Sequence, residues 1–90
     1  MAKLKRDWPP WWDWELRLTS HLEKRMLTRQ FTEIELRRMM ERATGFRRDQ
    51  KEGRWVIETR FRRADWEVIV EPIDDETIIE VVTAYEVTDD

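Results

Sequence analysis

Ninety residues suit one domain and leave no room for two, and no run approaches the roughly 20 apolar residues of a membrane span. There are no cysteines and one histidine, which excludes disulfides, thiolate zinc sites and a histidine-rich metal cluster. The net charge of −3 hides a polarity: residues 1–63 hold all 17 Lys/Arg and 10 of the 20 Asp/Glu, a net of +7, while residues 64–90 hold the other 10 carboxylates and no cation, a net of −10. The basic part is suited to nucleic acid, whereas the acidic end repels it or covers the basic part in trans.

Residues 1–12 read as a basic, Pro/Trp-rich arm and 13–88 as a single domain. Lys3–Arg6 is a basic start with no apolar stretch behind it, so a secretory signal is not expected and a cytoplasmic location is. Trp8 to Trp14 then gathers four of the six tryptophans around Pro9 and Pro10, which favour an extended path. Two readings stay open for Trp8, Trp11 and Trp12: they cover the edge of a small core, or they form a partner-binding or base-stacking arm. Trp12, Trp14, Leu16 and Leu18 alternate with polar residues, the period of a half-buried strand over about 13–19.

Ser20 and Glu23 spell one capping box and Thr32 and Glu35 a second, with Phe31 and Leu36 as a hydrophobic staple. The predicted helices run over roughly 21–29 and 33–43. On the first, His21, Arg25 and Arg29 lie one turn apart beside a seam of Leu22 and Met26. On the second, Leu36, Met39, Met40 and Ala43 form the apolar stripe, and Gly45 is placed to end it in the left-handed conformation. Phe46–Arg54 reads as a charged loop whose Arg47 and Arg48 are able to contact phosphates. Three strands follow over Trp55–Phe61, Trp66–Ile73 and Thr77–Val87; strict alternation on the last puts Ile79, Val81, Thr83, Tyr85 and Val87 on one face. The fold class is α+β, ordered β-α-α-β-β-β, an antiparallel sheet with a C-terminal meander, an N-terminal strand and two helices on one face.

The run His21-x3-Arg25-Met26-x2-Arg29-x-Phe31-Thr32, with Val81, Val82, Thr83 and Tyr85 near the end, resembles a family of small bacterial domains of unknown function. That family is related to RelE-like and BrnT-like toxins, in the barnase–EndoU–colicin–RelE group of metal-independent ribonucleases. Gln30 stands where the family carries glycine. The resemblance implies RNA as substrate, a protein antitoxin as partner, and no cofactor or metal. It assigns His21 as acid/base, Arg25 as charge stabiliser and Tyr85 as hydrogen-bond donor or second acid. Arg29, Arg60, Thr83, Arg47 and Arg48 would bind substrate. These types fit the chemistry: histidine titrates near neutrality, and arginine suits a phosphate gaining charge. Strand carboxylates Glu15, Glu58, Glu67 and Glu80 offer a rival acid–base reading. The alternative class is a non-catalytic interaction module that uses the tryptophan arm and the charge polarity to bind a protein or form a homodimer.

Overall fold

The computed structural model describes residues 8–88; the basic start at Lys3–Arg6 lies outside them. A short 3-10 turn, Pro10–Asp13, leads into β1 (Glu15–Leu18), α1 (Ser20–Arg29), α2 (Glu33–Glu41), β2 (Gly45–Arg48), β3 (Trp55–Phe61), β4 (Ala64–Ile73) and β5 (Ile78–Glu86). The five strands form one sheet in the order β1-β5-β4-β3-β2, with both helices on one face. The α+β class holds. Two features differ from the expectation. The sheet is mixed, because β1 runs parallel to β5 while the other three pairings are antiparallel. A fifth strand, β2, occupies the start of the expected charged loop. Its cations suit an edge, where charged side chains discourage pairing with another chain.

Local chemistry fixes the helix ends. Thr19, rather than Ser20, caps α1: its hydroxyl accepts from the Leu22 amide at 3.0 Å and lies 3.2 Å from the Val81 and Val82 carbonyls. One side chain thereby ties the helix start to the middle of β5. The second capping box forms as read, with Thr32 and Glu35 each accepting from the other's amide. Gln30 ends α1 in the left-handed region (φ 59°), and the Phe31 amide reaches back to the Met26 carbonyl at 3.1 Å. Gly45 plays no such part for α2. It enters β2 opposite Glu58, where a Cβ would sit 2.6 Å from the Glu58 carboxylate.

Between helices and sheet, Leu22, Leu36 and Met39 pack on Ile57, Val68, Val70, Ile79 and Val81, all 1% exposed or less. Each such side chain contributes about 1.5–3 kcal/mol relative to an exposed one. The Thr59 hydroxyl, buried among them, donates to the Met39 carbonyl at 2.6 Å and pins α2 to β3. No helix of the described residues is long and apolar enough to cross a membrane.

One irregularity decides where the candidate site residues go. Val70 pairs with Val81 and Ile69 with Thr83, so Val82 has no partner across β4. This bulge shifts the alternation by one residue. Ile79, Val81 and then Ala84 point into the core, whereas Thr83 and Tyr85 turn to the face without helices. The strict alternation read from the sequence would have put Tyr85 on the helix side with Val81.

Candidate acid–base site on the open sheet face

Across the helix-free face runs a row set by register: Gly45 opposite Glu58, Glu58 opposite Glu67, and Glu67 opposite Tyr85. Directly opposed residues share a face and stand close. Two carboxylates side by side repel, and a cation is needed between them. Arg47 supplies it from β2, bridging Glu58 at 2.5 Å and Glu67 at 3.1 Å. The Tyr85 hydroxyl donates to the other Glu67 oxygen at 2.8 Å. Burial, reinforced by that carboxylate, pushes the Tyr85 pKa up from 10.0 to about 12. The hydrogen bond to Glu67 likewise raises the Arg47 pKa.

Glu58, Glu67 and Asp65 line a cleft of about 260 Å³ together with Thr44 and Val87. Glycine at position 45 leaves room for the Glu58 carboxylate to lie over β2. Tyr85 lies outside the lining of that cleft and borders a second cleft, about 310 Å³, shared with Arg29, Trp66 and Glu86. Arg29 has no carboxylate partner among the described residues; it donates to the Ala84 carbonyl at 2.9 Å.

The expected site residues therefore separate. His21 and Arg25 stand exposed on α1, on the helix face, and Arg25 makes no ion pair among the described residues. Tyr85 and Thr83 lie on the opposite face. Arg29 alone of the α1 stripe reaches a cleft that Tyr85 borders. Arg47 joins Tyr85 through Glu67, while Arg60 is paired with Asp65 at 2.7 Å and Arg48 lies over the Trp55 ring at 4.9 Å. Trp11 is buried in the core; Trp8 and Trp12 are half-buried with rings 4.4 Å apart, and Trp8 also meets Phe46 at 4.9 Å. The core-covering reading of these tryptophans describes their packing. Glu58 and Glu67 entered the sequence reading only among four strand carboxylates, with Glu15 and Glu80, that offered a rival acid–base reading. The signal that unites them with Arg47 and Tyr85 is cross-strand register, which a single sequence does not display.

Among the described residues no group of three or more His, Cys, Asp or Glu is arranged to hold a metal ion. No protein-family model matches the chain, and no curated protein or solved structure matches it at a significant level.

Proposed function

We propose that the chain is an RNase-toxin-like domain of the RelE/BrnT type that cleaves RNA without a metal, with its chemistry on the open sheet face. One observation carries this reading: a carboxylate, a permanent cation and a protonated phenol are hydrogen-bonded in a single row beside a cleft. Glu58 and Tyr85 stand two strand spacings apart, about 10 Å between backbones, with the Arg47 guanidinium between Glu58 and Glu67. Glu58 lines one cleft and Tyr85 the other, with Glu67 between them in the row, so the phosphodiester would lie across the row, its base on one side and its acid on the other.

Glu58 takes the proton of the 2′-hydroxyl, and the resulting oxygen attacks phosphorus. The bond from phosphorus to the 5′-oxygen breaks, leaving a 2′,3′-cyclic phosphate. Tyr85, a phenol protonated at neutral pH, gives its proton to the departing oxygen. Arg47 neutralises the charge gathering on the phosphate, and Arg29 lies near enough to Tyr85 to hold a neighbouring phosphate. Glu67 orients Tyr85 and Arg47 together.

The test is total RNA integrity and growth after induced expression in a bacterial host, which also detects a nuclease that acts only on ribosomes. Wild type should arrest growth and leave fragments ending in 2′,3′-cyclic phosphate, while Glu58→Gln at matched soluble level leaves RNA intact. Intact RNA in both, with normal growth, would remove the nuclease reading in that host.

A further inference from the structure

A third cleft lies on the other face, between the 3-10 turn and the end of α2, and takes no part in the open-face chemistry. It measures about 240 Å³ and is lined by Trp12, Asp13, Trp14, Met40 and Glu41, with Arg37 beside them. Its walls are flat half-buried indoles over the buried Met40. Among the described residues its charge is not balanced. Arg37 donates twice to one Glu33 oxygen, at 2.9 and 3.1 Å, so its charge is already answered. Asp13 and Glu41 are both exposed, and neither makes an ion pair among the described residues. Glu41 is also the last residue of α2, where the helix carbonyls already concentrate negative charge and a cation is the favourable neighbour.

The geometry points to this cleft as a docking site for a basic peptide, with one arginine or lysine side chain lying against the Trp14 indole and its charged head between Asp13 and Glu41. Aromatic faces attract organic cations, and the unspent carboxylates select a cation over a neutral or acidic occupant. An unpaired base would meet the same indole, but its phosphates would face two uncompensated carboxylates. The partner is therefore a protein with an exposed basic segment, and RNA is disfavoured here.

The probe is a blocked peptide of alternating arginine and glycine, titrated into the isotope-labelled full chain and followed by the six indole N–H and the backbone amide resonances. Assignments come from Trp12→Phe and Trp14→Phe. Saturable shifts confined to Trp14, Asp13, Glu41 and their neighbours are expected, weaker at high salt and absent with a glutamate–glycine peptide. Glu41→Gln, an exposed change outside the open-face site, should raise Kd about fivefold. Unfolding curves of that variant keep a loss of fold from being read as a loss of binding. Shifts that appear only on the acidic β4–β5 turn, or cleft shifts unchanged in Glu41→Gln, would overturn the proposal. So would titration without any shift.

Discussion

The chain contains one tyrosine, so phenolate absorbance reads Tyr85 alone. Its folded pKa is raised to about 12, chiefly by burial and next by the hydrogen bond to Glu67. The folded state thus holds this proton more tightly than the unfolded chain, whose tyrosine titrates near 10. The stabilisation is fully present below pH 10 and is lost as pH rises towards 12. A shift of two units equals about 2.7 kcal/mol between protonation states; with the ring only half-buried and solvent screening the carboxylate, a loss of about 1 kcal/mol is the realistic figure. Glu67→Gln removes the charge but keeps the burial, so its phenol should titrate between 10 and 12. Tyr85→Phe should flatten the alkaline limb of the stability curve. A wild-type phenol titrating near 10, or a Glu67→Gln titration superposable on wild type, would refute the placement of Tyr85 against Glu67.

Gln30→Gly relieves a left-handed residue at the end of α1 and should stabilise by about 0.5–1 kcal/mol, a rise in Tm of roughly 3–6 °C on calorimetry. Thr32→Ala removes the α2 cap and should cost about 1 kcal/mol in denaturant unfolding. The Glu35 carboxyl is held below its usual pKa, first by the Thr32 amide and then by Arg62, so its contribution is present above pH 4.5 and lost on acidification; Glu35→Gln should flatten that acid limb. Thr59→Val leaves the buried Met39 carbonyl without its donor and should cost about 1–3 kcal/mol by the same unfolding measurement.

Helices and strands were largely legible because local rules set them. The Thr32–Glu35 box, the Phe31–Leu36 staple and the alternation in β3 and β4 each act within a few residues. The errors arose where neighbours in space outweighed neighbours in sequence. Thr19 displaced Ser20 as cap because its hydroxyl also meets the β5 carbonyls. The edge strand β2 resembled a loop because Arg47 and Arg48 follow Phe46, whose ring packs against Trp8 and Trp55. The bulge at Val82 moves the candidate site residues furthest. Nothing in Val81-Val82-Thr83 announces an unpaired residue, yet it carries Tyr85 away from His21 and Arg25 to the face of Glu67 and Arg47.

The most direct measurement sets the two faces against each other. RNA integrity after induction would be compared for His21→Ala and Arg25→Ala on the helix face, and Arg47→Gln and Tyr85→Phe on the open face, at matched soluble levels. Cleavage retained in the first pair and lost in the second is the expected result. Cleavage that survives Arg47→Gln and Tyr85→Phe but disappears with His21→Ala would contradict it, and would return the chemistry to α1.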